Sequence, residues 1–184
     1  MKIAAKYWIR KESPLLQPIE KSGPYPYYGA NGVQDYVSDY IFDDELVLLA
    51  EDGGNFNSST KPIAYRVSGK CWVNNHAHVL KALPSIDVDY LCYSLMFYKV
   101  GSLVNRATRE KLTQAAMRRL KIHLRPMSKQ VSIVSTLSKT KQIIDLRRVQ
   151  LAKLDELVKC RFAIQASLDK TQQLFDSLMQ EYFG

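Results

Sequence analysis

After Pro126 the chain has no further proline, and between Gly101 and the final Gly184 it has no glycine. The two residues that most reliably stop a helix are therefore missing from 127–183. Cysteine is sparse. Cys71, Cys92 and Cys160 are odd in number, widely spaced and without a CxxC pair, which fits unpaired thiols in a reducing compartment and argues against a zinc site. No apolar run approaches the roughly 18 residues of a membrane span, and the opening MKIAAKYWIRKE returns to charge too soon for a signal peptide, so a cytoplasmic location is expected. Also missing are GxGxxG, GxxxxGK[ST] and GxSxG, and any Asn/Asp-Pro-Pro-aromatic segment that would serve base methylation. With no cofactor cradle and no nucleophile–base set, the chain is expected to be non-catalytic and to need no cofactor or metal.

What is present starts with charge. The net charge is +8, and residues 99–129 carry Lys99, Arg106, Arg109, Lys111, Arg118, Arg119, Lys121, Arg125 and Lys129 against the single acid Glu110. A balance of this sign favours a polyanionic partner. The region without proline or glycine holds Leu137, Ile144, Leu151 and Val158 at intervals of seven, with Leu154 beside them. Leu168, Phe175 and Tyr182 resume the spacing. This pattern predicts a long amphipathic helix over 126–184, roughly 80 Å if unbroken, with an apolar seam for another helix. Thr140 and Arg147 fall where a strict zipper would be apolar, and Ile143, Leu157 and Ile164 form a second stripe. A break near 165–168 and a small bundle at the dimer centre are thus equally compatible with the spacing.

Residues 1–125 read as a compact β-rich head, giving an α+β protein with a helical arm. Residues 2–21, with Pro14 and Pro18, suggest an extended or irregular lead-in. Gly29, Asn31 and Gly32 suit a tight loop, residues 33–40 a strand and residues 45–50 a buried strand. Ser68-Gly69-Lys70 between two β-prone runs (63–67 and 71–80) predicts a hairpin, with Trp72, Asn74, His76 and His78 sharing one strand face. Ser85 or Asp87 is expected to cap a helix carrying Val88, Leu91, Cys92, Leu95 and Met96. Thr113 would cap a short helix through Arg119, and 121–124 would form a last strand.

His76 and His78 invite comparison with metal ligands, but no third ligand is evident and hydrogen-bonded strand histidines are the preferred reading. An acid–lysine nuclease cluster of Glu51 and Asp52 with Lys61 or Lys70 is the less favoured alternative to carboxylates that brace a turn. Binding chemistry is better represented. Tyr25, Tyr27, Tyr28, Asn31, Asn74 and Asn75 combine with the basic segment to supply aromatic, amide and guanidinium groups suited to double-stranded DNA.

The segments YYGANG at 27–32, EDG at 51–53, NNHAHV at 74–79 and KLT at 111–113 together resemble a target-recognition domain from the specificity subunit of type I restriction–modification systems. Pro126, Gln130, Ile133 and Leu137, then LDEL at 154–157 and LDKTQQLFDSL at 168–178, resemble its conserved helical region. The resemblance runs from about Gly23 onward, and residues 1–22 match no recognisable part of it. Such subunits carry two recognition domains and two antiparallel helices, read a bipartite DNA sequence, and dock methyltransferase subunits and through them the restriction subunit. Carried over, the resemblance implies a half-subunit that acts as a homodimer on an interrupted palindrome. Its DNA-binding candidates are Tyr27, Tyr28, Asn31, Asn74, Asn75, His76, Arg106, Arg109, Lys111, Arg118 and Arg119. Its dimer interface would hold Leu137, Ile144, Leu151, Leu154 and Val158. The alternative is a non-catalytic interaction remnant with weak or absent sequence-specific DNA binding.

Overall fold

A computed structural model of the chain describes residues 5–7, 21–104 and 110–184. The chain divides into two compact units, Met1–Ser135 and Thr136–Gly184. The first contains a mixed six-stranded sheet. Its strands are β1 (Ala5–Tyr7), β2 (Lys21–Gly29), β3 (Gly32–Val37), β4 (Phe42–Ala50), β5 (Ala64–Val73) and β6 (Ala77–Ala82), in the order β1-β6-β4-β5-β2-β3. All neighbours are antiparallel except β2 and β5, which run parallel at Tyr27–Trp72 and Tyr28–Val73. The lead-in therefore contributes a strand, since Ala5 lies opposite Ala82 and Tyr7 opposite Leu80.

β4 organises the unit because both of its faces are buried. Leu46 and Leu48 face a cluster with Val67, Cys71, Val73 and Ala77. Val47 and Leu49 face a larger cluster with Ala64, Leu80 and the apolar side of helix α1 (Val88–Met96). Strand alternation sends neighbouring residues to opposite faces, so a run of five buried residues from Leu46 to Ala50 requires cover on both.

The sheet is also sharply coiled. β5 reaches the Phe42 end of β4 at Cys71, whereas β6 starts opposite Ala50 on the other side of β4. The nine residues of β4 extend about 27 Å, but the link through 74–76 reaches only about 14 Å. A flat sheet cannot satisfy both registers. Gly69, at φ +77, is where β5 leaves the extended backbone region, and the Tyr65 hydroxyl donates to the Gly29 carbonyl from the far side of the curl.

That geometry corrects the expected hairpin at 68–70. Ser68, Gly69 and Lys70 sit inside the continuous strand β5, opposite Glu45, Asp44 and Asp43. The expected strand 71–80 is interrupted instead at 74–76, so His76 lies in the link and only His78 is a strand residue. Asn74 causes the interruption by accepting the His76 N–H on its side-chain oxygen (2.9 Å), a local bond that competes with a strand ladder.

Helix α1 is capped by Asp87, whose carboxylate accepts the Tyr90 N–H at 2.8 Å. Thr113 caps α2 (Gln114–Met117), which ends two residues short of the expected Arg119. Residues 121–124 form no strand, only a bridge at Lys121. Helix α3 runs unbroken over Met127–Phe183, without the break considered near 165–168. Its early residue Val134 packs against the larger cluster of the first unit. From Leu137 onward its apolar side chains are exposed, including Leu137 at 40%, Leu151 at 61% and Phe183 at 82%. Among the described residues, no helix is long and apolar enough to cross a membrane.

Candidate nucleic-acid interface

Four short segments far apart in sequence meet at one end of the coiled sheet. The β2–β3 hairpin turns through Ala30 and Asn31, with Gly29 paired to Gly32 at φ +117, a backbone region that favours glycine. At its tip Asn31 donates to the Gly53 carbonyl and accepts from Asn55, both at 3.0 Å. The next residues inward are Glu51 and Asp52. The Glu51 N–H donates to the His76 carbonyl (2.8 Å), and the Asp52 carboxylate meets His76 Nδ1 at 2.5 Å. On the other side the Leu112 N–H donates to the Glu51 carbonyl at 2.7 Å, and Asp52 bridges to Lys111. Lys111 Nζ lies 3.0 Å from Glu51 Oε1, and this bond holds its ammonium pKa above the ordinary lysine value.

His78 is buried in the same knot. Its Nε2 lies 2.7 Å from the Leu112 carbonyl. A carbonyl can only accept, so Nε2 carries the proton and Nδ1 faces Glu51 at 3.5 Å. Burial lowers the His78 pKa below the usual imidazole value, while the Leu112 carbonyl and Glu51 oppose that shift. The segments 27–32, 51–53, 74–79 and 111–113, which carried the family resemblance, thus hold one another through backbone bonds and short side-chain pairs.

This arrangement sorts the candidate residues. Asn74 is buried. It donates to Gln34 at 3.2 Å and shapes the link, and its own N–H reaches the Tyr28 carbonyl. Asn31 and His76 are likewise engaged with neighbouring loops. Tyr27 is half-buried beside Trp72, and Tyr28 packs on Tyr65 with ring centroids 5.8 Å apart. Desolvation raises the Tyr28 pKa, as it does that of Tyr65. Asn75, Lys111, Arg118 and Arg119 are exposed. Arg106 and Arg109 lie outside the described residues. The Tyr25 and Tyr40 rings pack at a tilt with centroids 5.0 Å apart, and Lys70 lies 4.6 Å from the Tyr40 ring centre.

Glu51 and Asp52 therefore face histidines and Lys111, and Lys70 belongs to an aromatic pair instead of a nuclease-like cluster. Among the described residues, no group of three or more His, Cys, Asp or Glu is placed to hold a metal ion. Cys71 and Cys92 are buried thiols, each pushed up to about 11 by desolvation, and Cys160 is exposed on α3. The Asp52–His76 pair, the Glu51–Lys111 pair and the Gln34 contact are not legible as pairs from spacing, because 24 to 60 residues separate the partners. The signal available was the recurrence of the four segments themselves.

A coiled mixed sheet with its loops tied at one end, followed in sequence by a long helix, has known relatives. The chain belongs to the family of type I restriction modification DNA specificity domains, whose model matches residues 2–156. The match extends the expected resemblance back through 2–22 and leaves 157–184 beyond it. The Haemophilus influenzae protein assigned as type I restriction enzyme specificity subunit S.HindORF215P is 36% identical over 124 residues, covering 67% of this chain and 32% of that protein. The Escherichia coli type I restriction enzyme EcoprrI specificity subunit is 24% identical over 140 residues, covering 74% and 34%. The chain spans about a third of the length of these relatives.

The fold is shared with the S subunit of a type I restriction-modification system from M. genitalium, at a TM-score of 0.55 and 15% identity over 70% of this chain and 35% of that one. A chain from a structure of type I R-M complex assembly and conformational transition gives 0.53 at 17% identity, covering 75% and 36%.

Proposed function

We propose that this protein is a non-catalytic DNA sequence-recognition unit of a type I restriction–modification system, acting as a homodimer that reads a bipartite, palindromic site. In this reading residues 1–125 recognise double-stranded DNA. Residues 126–184 pair with the same segment of a second copy, space the two heads and dock methyltransferase subunits. The observation that carries the reading is the uncovered apolar surface of α3. Leu137, Ile144, Leu151, Leu154 and Val158 are 40–61% exposed, and no residue of Thr136–Gly184 is buried. A helix with such a stripe gains stability by burying it on a partner.

A two-fold dimer is self-complementary, so both heads would meet the same half-site in opposite orientation. Arg106, Arg109, Lys111, Arg118 and Arg119 would hold phosphates. Asn75 is favoured for contact with base edges because it is exposed beside the tied loops. Tyr27, Tyr28, Asn31, Asn74 and His76 would shape the reading surface more than touch the bases.

Two measurements on the purified chain test this. Light scattering is expected to give twice the monomer mass, and duplex binding to weaken steeply with salt while preferring particular sequences. A binding affinity indifferent to sequence, even with methyltransferase subunits present, would instead favour the interaction-protein reading.

A further inference from the structure

Gln130 is fully buried, with 0% exposure, whereas its neighbours in the first two turns of α3 are mostly exposed. Its side-chain amide makes three hydrogen bonds to residues outside α3, two of them to the segment before α1 and one to Arg125 just ahead of α3. Its Oε1 accepts the Asp87 N–H at 2.8 Å, and its Nε2 donates to the Ser85 carbonyl at 3.0 Å and the Arg125 carbonyl at 2.8 Å. Asp87 is also the N-cap of α1, so a single amide ties the start of α3 to the start of α1. Nearby the Tyr90 hydroxyl, also on α1, donates to the His123 carbonyl at 2.7 Å. An amide with all its near partners satisfied inside a core is costly to replace, because each lost partner becomes a buried unsatisfied group.

We propose that Gln130 is a positioning residue which latches the root of the long helix to the recognition head and thereby sets the spacing at which two half-sites are accepted. The spacing part rests on the dimeric recognition reading above; the latch rests on the hydrogen bonds alone. A head whose helix root is loose still presents the same loops to DNA. What it loses is the narrow selection of one gap between half-sites.

The experiment compares the wild-type chain with Gln130→Met, which keeps an unbranched side chain of similar size but has no amide. Gln130→Glu is the second variant, which keeps an acceptor for the Asp87 N–H and loses both donors. Amide hydrogen exchange is read first. Protection of Asp87 and of residues 130–135 is expected to fall by about tenfold or more in Gln130→Met and by less at Asp87 in Gln130→Glu. Protection across β4 and β5 stays as in wild type, which separates an unlatched root from an unfolded head.

Selection from a pool of random duplexes is read second. Wild type is expected to enrich two inverted half-sites at one gap, and Gln130→Met the same half-sites at several gaps. Unchanged exchange at Asp87 and residues 130–135 would overturn the latch. Loosened exchange with an unchanged single gap would overturn the positioning role. A wild-type chain that enriches no paired motif contradicts the proposed function and removes the spacing part with it, while the exchange result still decides the latch.

Discussion

The two units of this chain treat apolar surface in opposite ways. In the head, β4 is covered on both faces, and Leu46, Val47, Leu48, Leu49 and Ala50 are 0–1% exposed. In Thr136–Gly184, Leu146, Leu157, Phe162, Ile164 and Tyr182 are each 65% exposed or more. Burying one such side chain is worth roughly 1.5–3 kcal/mol, so the head holds its stabilisation internally while the helix leaves its own unrealised. Internal polar contacts on the helix do not compensate. Lys141 and Arg148 flank Asp145 and lower its carboxylate pKa, but these are exposed pairs. The difference separates folding from association, and each side of it can be broken alone.

Truncation in the head is the largest effect expected. Leu48→Ala removes a fully buried side chain from β4 and should lower the head's unfolding free energy by about 3 kcal/mol in urea denaturation, with the mass of the proposed dimer at native conditions unchanged. The mirror experiment is Leu151→Asp on the helix. A charge placed in the seam of the proposed dimer is expected to weaken dimerisation by about hundredfold, giving monomers by light scattering while the head unfolds at the wild-type denaturant concentration. A Leu151→Asp protein that stays dimeric would mean that association uses a surface outside the heptad stripe.

The remaining predictions concern loops within the head. Asp52→Asn removes the charge opposite His76 at the meeting point of four segments. Duplex affinity is expected to drop by about fivefold in a fluorescence titration, with little change in the unfolding midpoint, because the pair is partly solvent-screened. The smallest effect is a pH slope from His78. Its folded pKa lies below the ordinary imidazole value because burial disfavours the charged ring. Below about pH 6.5 the unfolded chain therefore takes up a proton that the folded head resists, and stability falls as pH drops. The contribution is fully present above that value, and His78→Gln should flatten the fall between pH 7.5 and pH 5.

How much of this was legible in the sequence depends on how local the cause is. The long helix from Pro126, a cap at Ser85 or Asp87 and the buried run at 45–50 follow from neighbouring residues and lie close to their observed positions, whereas the spacing left open whether α3 breaks near 165–168. Ser68-Gly69-Lys70 misled because its turn chemistry is good in isolation. In the folded head Gly69 instead permits a bend within β5, and Ser68 donates to Glu45 across the ladder. His76 and His78 appeared to share a face because period-two counting assumes an unbroken strand, and Asn74 breaks it. The role of Gln130 was invisible, since nothing in its position on an amphipathic helix announces partners 43 and 45 residues away. The four motif segments were visible individually. Their convergence was not, because it depends on the coil of the sheet.

The central claim is that one head, presented twice through paired helices, reads a symmetric split site. Co-expression of this chain with type I methyltransferase subunits, followed by mapping of methylated adenines in the host DNA, tests it most directly. Methylation is expected at two inverted copies of a single half-site separated by one constant gap. Methylation at two different half-sites, or at an undivided motif, would contradict it.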